Sequence, residues 1–146
     1  MAQIENLLIV VDSTKPWNQY AAYLDAFMAK KLSNIPKVTI FYGPNCVSLT
    51  KKGELAKIPI SAEAKELIAG QLDGISASDL PDNLEQMARF QKDQLGVNIF
   101  SCVTSTVIEG LAEKIEDTSN IEDFFVPLNL PQVWEGYIEA DKILFW

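Results

Sequence analysis

Leu95-Gly96-Val97-Asn98-Ile99-Phe100-Ser101-Cys102-Val103-Thr104-Ser105 is the stretch whose reading decides the fold. Val97 to Phe100 is a short apolar run of strand type, and it leads into a small polar turn that carries a thiol. From Val103 to Ile115 the residues Val107, Ile108, Leu111 and Ile115 recur at helical spacing, which predicts a helix there. A strand feeding a helix through a tight turn is the unit by which α/β folds present chemistry. Cys102 then stands beside the first amides of a helix, which have no intrahelical partner and carry the positive end of the dipole. Such surroundings favour the thiolate, the nucleophilic form of the side chain. The other reading of Cys102 is a small buried hydrophobe, the usual state of a free cysteine.

Outward from that stretch the same rhythm continues. Before it, Pro81 is expected to open a helix, capped near Asp79, that runs to Leu95 with Leu84, Met87, Ala88 and Leu95 on its apolar face. Gly96 ends that helix in the left-handed conformation. Near the start, Leu7 to Val11 is a continuous apolar run, which predicts a strand buried on both faces, as in a parallel sheet. Asp12 to Pro16 is a turn with Ser13 or Thr14 as cap. A helix from Trp17 to about Leu32 should bury Tyr20, Leu24, Phe27, Met28 and Leu32. Val38 to Tyr42 is a second strand, stopped by Gly43-Pro44-Asn45. Strand, helix, strand is the βαβ unit, with a right-handed crossover.

Cys46 follows that second strand, so it is expected on the same rim of the sheet as Cys102. It reads either as a filler under the loop or as a second thiol near the first. Val47 to Pro59 is a mixed connection, and Ser61-Ala62-Glu63-Ala64 starts a helix to about Ala69. Beyond the cysteine helix, Phe124-Phe125-Val126 is a short strand or a plug, limited by Pro127 and Pro131. Trp134 to Ala140 is expected to make one to two turns of helix. Lys142 to Trp146 is a last strand, which places the end of the chain inside the fold.

The whole is 146 residues with 48% hydrophobic and 22% charged, the balance of one globular domain. A net charge of −8 argues against nucleic acid and against an anionic membrane surface. No apolar run approaches a membrane span, and the first residues read as a strand and not as a signal peptide. With two cysteines there is no disulfide framework, so a cytoplasmic location is expected. Histidine is absent, which removes every Ser-His-Asp or Cys-His pair and every imidazole ligand or base. Metal and cofactor are both expected to be none. No glycine-rich phosphate loop occurs, and Asp12 to Lys15 would make a poor one for a flavodoxin-type module. The carboxylates Glu113, Glu116, Asp117, Glu122 and Asp123 read as a solvated helix end. Arg89 has no evident partner. What remains is Cys102 with the hydroxyls of Ser101, Thr104 and Ser105, which either cap the helix or hold an anionic sulfur against its amides.

Leu95-Gly96-Val97-x-Ile99-x-x-Cys102-x-x-Ser105 resembles the cysteine segment of the DsrE/DsrF-like proteins, the group that includes the TusB, TusC and TusD sulfur-relay subunits. Lys37-Val38-Thr39-Ile40-Phe41 and Val47-Ser48-Leu49 resemble that family's second strand and following loop. Gly110-Leu111 sits where members carry a glycine, and Ala140-Asp141-Lys142-Ile143-Leu144-Phe145 resembles its closing strand. Two departures stand out: Cys46 occupies a position where relatives tend to have glycine, and Phe124 to Trp134 does not align. The resemblance implies one DsrE/DsrF-like domain over residues 1–146. Its fold would be a three-layer α/β sandwich with a mostly parallel sheet of about five strands and helices on both faces. It implies a homo-oligomer, trimer or hexamer, and a persulfide carrier or sulfurtransferase. Cys102 would take up the sulfur, Thr104 and Ser105 would steady the anion, and Cys46 is the candidate second thiol. Partners would be sulfur-donor and sulfur-acceptor proteins, rhodanese-like or relay proteins. The family also contains members without a working cysteine. The alternative is therefore a non-catalytic oligomeric subunit that binds a small ligand or partner protein at the sheet rim.

Overall fold

A computed structural model describes residues 3–146. Strands β1 (Asn6–Val11), β2 (Lys37–Tyr42), β3 (Asn98–Cys102), β4 (Val126–Leu128) and β5 (Lys142–Phe145) form one sheet in the order β4-β3-β2-β1-β5. Every pairing is parallel. Helices α1 (Pro16–Lys31), α2 (Ala62–Ala69), α3 (Leu84–Leu95), α4 (Val103–Ile108) and α5 (Leu130–Glu139) connect them. From β1 to β4 each step crosses the sheet in the same direction, whereas β5 returns to the far side of β1. Right-handed crossovers that reverse direction must pass over the opposite face. Thus α1 and α3 cover one face, and α5 packs on the other.

The two faces differ in depth. Leu7, Ile9, Val11, Val38, Ile40, Tyr42 and Ile99 point into a large core shared with Ala22, Tyr23, Ala26, Leu84, Met87 and Ala88. The alternate residues Leu8, Val10, Phe41 and Cys102 form a small cluster roofed by Val133 and Tyr137 of α5. The period of two along each strand sorts the side chains, and the apolar runs of β1 and β2 read as buried on both faces for that reason.

Several boundaries depart from the sequence expectation. Helix α1 buries Gln19, Ala22, Tyr23, Ala26, Phe27 and Ala29, whereas Leu32 is 61% exposed. The buried polar groups of Gln19, Tyr23 and Tyr42 are satisfied in a chain: Tyr42 donates to Gln19 Oε1 at 2.8 Å, the Tyr23 and Tyr42 hydroxyls lie 2.8 Å apart, and Gln19 Nε2 donates to Ser13 O at 2.7 Å. Lys15, not Ser13 or Thr14, occupies the cap position; Ser13 Oγ accepts from Lys15 N. Helix α3 starts three residues after Pro81, where Asn83 Oδ1 accepts from Gln86 N at 2.9 Å. Gly96 closes it at φ 70°, as its place after the periodic run required.

Strand β3 runs two residues further than Phe100 and ends at Cys102 itself. The helix after it stops at Ile108, well short of Ile115, because Gly110 turns the chain at φ 86°. Phe124 and Phe125 plug the large core, and Val126 begins β4, so both readings of that segment hold. Pro127 is tolerated because β4 is an edge strand. Helix α5 is longer than one to two turns. Asn129 and Gln132 form a capping box, and Pro131 sits in the first turn, where its missing N–H costs nothing.

Candidate functional site

The carboxyl ends of β1, β2 and β3 form a rim, the usual place for chemistry in a parallel sheet. Cys102 is the last residue of β3 and the cap residue of α4, with extended backbone angles. Thr106 fixes it: the Thr106 hydroxyl donates to Cys102 O at 2.8 Å, one turn on. Its side chain falls on the α5 face with Leu8, Val10 and Phe41, and the residue is 6% exposed. At six residues α4 is a little over one and a half turns, so the dipole at its start is smaller than a helix reaching Ile115 would supply.

Two further polar groups face the same corner. Tyr137 of α5 is half-buried, and its ring meets Phe41 edge-on at 6.3 Å. Burial raises its phenol above the ordinary value, and the nearby Asp12 and Cys102 add to the rise. Asp12 leaves the end of β1 and is held by Asn45: the Asn45 amide donates to Oδ1 at 2.9 Å and its side-chain Nδ2 to Oδ2 at 2.8 Å. Gly43 permits this, since a Cβ there would run into the Asp12 carboxylate. A cavity of about 30 Å³ separates α5 from the sheet beside Phe41, Phe100 and Tyr137, room for about one water.

Cys46 is on the same rim but not in the same place. It packs into the large core on the α1 face, 0% exposed, while Cys102 packs into the small cluster on the other face. Its thiol donates to Val11 O at 3.1 Å and to Gly43 O at 3.6 Å. Burial, with the Asp12 carboxylate adding to it, pushes that thiol up to about 12. Thr104 and Ser105, at the start of α4, are half-buried and make no side-chain hydrogen bond among the described residues. Ser101 is fully buried and its hydroxyl has no partner among the described residues. Period-two alternation turns it away from Cys102.

Asp12, Thr106 and Tyr137 escaped the sequence reading. Thr106 had a signal, since a threonine four residues after a strand end can bond back to the carbonyl. Asp12 had a weaker one, its place directly after the first strand. Tyr137 had none, because only the return crossover to β5 brings α5 over the thiol.

The acidic patch is also rearranged. Glu122 is 6% exposed, accepts from Gly53 N at 2.7 Å and pairs with Arg89 at 3.1 Å. Arg89 also pairs with Asp123 at 2.7 Å and lies 5.0 Å over the Phe124 ring. Glu122 and Asp123 thus tie α3 to the segment before β4, whereas Glu113 and Glu116 are exposed, as a solvated patch requires. Among the described residues no group of three or more Cys, Asp or Glu is placed to hold a metal ion.

The fold and rim define an all-parallel five-stranded α/β protein with a cysteine at the end of an interior strand. No protein-family model matches the chain, and no curated protein matches it. Among solved structures, the crystal structure of the ychN protein from E. coli shares the fold with a TM-score of 0.62 at 17% identity. That likeness covers 97% of this chain and 99% of the other. At 17% identity it is a likeness of architecture alone. No helix among the described residues is long and apolar enough to cross a membrane.

Proposed function

We propose that this protein is a sulfur carrier or sulfurtransferase whose acceptor is Cys102. The observation that supports this most directly is position: a thiol at the carboxyl end of an interior parallel strand, capping a helix, in a fold shared with ychN. In the step, the Cys102 thiolate attacks the outer sulfur of a donor persulfide. The Sγ–S bond forms, the donor S–S bond breaks, and the donor leaves as a thiolate; no electrons are gained or lost overall. Delivery is the same exchange with the acceptor's thiolate as nucleophile. The first amides of α4, with Thr104 and Ser105 beside them, steady the terminal sulfur. Donor and acceptor are rhodanese-like or relay proteins, and the working unit is a homo-oligomer in the cytoplasm.

Access is the point on which this reading turns. Cys102 is 6% exposed, and α5, none of whose residues is buried, is the element that must yield. Cys46, sealed on the other face, takes no direct part. A second reading draws on the same burial: Cys102 only packs, and the protein is a non-catalytic oligomeric subunit. Leu130, Trp134 and Ile138, 59%, 66% and 65% exposed along one side of α5, supply an apolar stripe for its contacts.

The test is mass spectrometry after incubation with polysulfide, or with thiosulfate plus a rhodanese. The carrier reading expects a gain of sulfur that disappears in Cys102→Ser. No gain, or a gain retained in Cys102→Ser, refutes it and leaves the second reading.

A further inference from the structure

Helix α2 buries none of its residues, yet its inner side is apolar: Ala64 packs partly against the core, and Leu67 is 61% exposed. It is held at its polar margins. Ser61 Oγ accepts from Ala64 N at 3.1 Å, Lys65 pairs with Asp82, and the Tyr20 hydroxyl donates to Pro59 O just before the helix. Between α2 and α1 lies a cleft of about 550 Å³. Its floor is core, with Tyr23, Leu84 and Met87 each at most 3% exposed. Its walls include Tyr20, Leu24 and Leu67. The Tyr20 and Leu24 side of α1, which helical spacing marked as core, therefore lines the cleft instead.

Size and charge restrict what fits. The volume lies in the range of small-molecule sites and is too small to seat a folded partner. Glu63 is the only charged residue of the lining, and it has no ion pair among the described residues. Trp17 and Tyr20, edge to face at 6.0 Å, also line it and offer the ring faces that attract cations. A chain of net charge −8 raises the local concentration of cations further.

We propose that the α1–α2 cleft binds a small organic cation, an apolar or aromatic body ending in an ammonium group that meets Glu63 and the Trp17–Tyr20 rings. The site lies on the α1 face, in the core opposite the Cys102 cluster, and is independent of the sulfur-carrier reading.

Phenylbutylammonium, phenylbutanol and phenylbutyrate share one apolar body and differ in the charge of the end group. Titration calorimetry at low salt should show one saturable site per chain, in the affinity order ammonium, alcohol, carboxylate. Glu63→Gln should weaken the ammonium by about two- to fivefold, the range of an exposed charge pair, and leave the alcohol unchanged. Leu67→Lys should weaken the ammonium by bringing a competing cation beside Glu63 at a position already exposed. Ala64→Phe should fill the cleft and remove binding of all three probes, with circular dichroism confirming the fold. The proposal is overturned if the carboxylate binds as well as the ammonium, if Glu63→Gln changes nothing, if folded Ala64→Phe binds as before, or if no probe saturates by about ten millimolar.

Discussion

With a thiol held near 12 in place of 9.0, the thiolate population of Cys46 at pH 8 falls about a thousandfold. Its sulfur also donates to two backbone carbonyls and has no exposed surface, so the neutral form is locked by geometry as well as by burial. The perturbation is alkylation of the folded Cys102→Ser variant with iodoacetamide, followed by mass spectrometry over time and repeated across pH. Cys46 should react at least about a thousandfold more slowly than a free thiol at pH 8, and the rate should rise tenfold per pH unit until close to 12. The same shift fixes a stability effect. The folded state holds this proton more tightly than the unfolded one, so the stabilisation is complete below about 9 and is lost as pH climbs from 9 toward 12. The loss is about 1.4 kcal/mol per pH unit. Tyr23 and Tyr42, whose phenols burial also raises, add to the alkaline fall. Labelling within about tenfold of a free thiol in a protein still native by circular dichroism, or a rate that levels off near pH 9, would refute the reasoning.

Three other perturbations have defined outcomes. Gly43→Ala drives a methyl into the Asp12 carboxylate and should displace it from Asn45, at a cost of about 1–3 kcal/mol in urea unfolding. Arg89→Ala leaves the buried Glu122 carboxylate with Gly53 N as its remaining donor and should cost about 1–3 kcal/mol. In the same variant NMR titration should show Asp123, now held below the usual carboxylate range mainly by its Arg89 hydrogen bond, moving back up. Its stabilising share is present above the ordinary carboxylate value and is lost as pH falls through the lowered one. Trp134→Glu puts a charge in the centre of the exposed α5 stripe; if the stripe is the contact of the homo-oligomer proposed above, sedimentation should show a smaller species than the parent protein, and an unchanged species refutes that contact.

Local patterns in the chain carried much of the architecture. Leu7 to Val11 announced a buried parallel strand because a strand covered on both faces needs an unbroken apolar run, and Val38 to Tyr42 announced a second strand by its β-rich composition and the Gly43-Pro44-Asn45 stop. Ser61 and Gly96 marked helix ends because capping is settled within a few residues. Cys102 at the end of its strand was legible for the same reason. Other features were masked by competing signals. Gly110 outweighed the spacing of Leu111 and Ile115, and Pro131, which looked like a limit, opens α5. In α1 the buried face is Gln19, Ala22, Tyr23, Ala26, Phe27 and Ala29, turned from the Tyr20–Leu24 stripe that helical spacing selected.

By itself, then, the order of residues determined the alternation of strand and helix and brought two thiols to one rim. It did not determine that a sheet stands between them, that Tyr137 packs on the Cys102 side alone, or that α2 stands away from α1. Periodicity states which side of an element is apolar, relative to that element alone. Which face of the sheet receives that side depends on crossover direction and on contacts between residues far apart in the chain, and these exist only once the sheet has assembled.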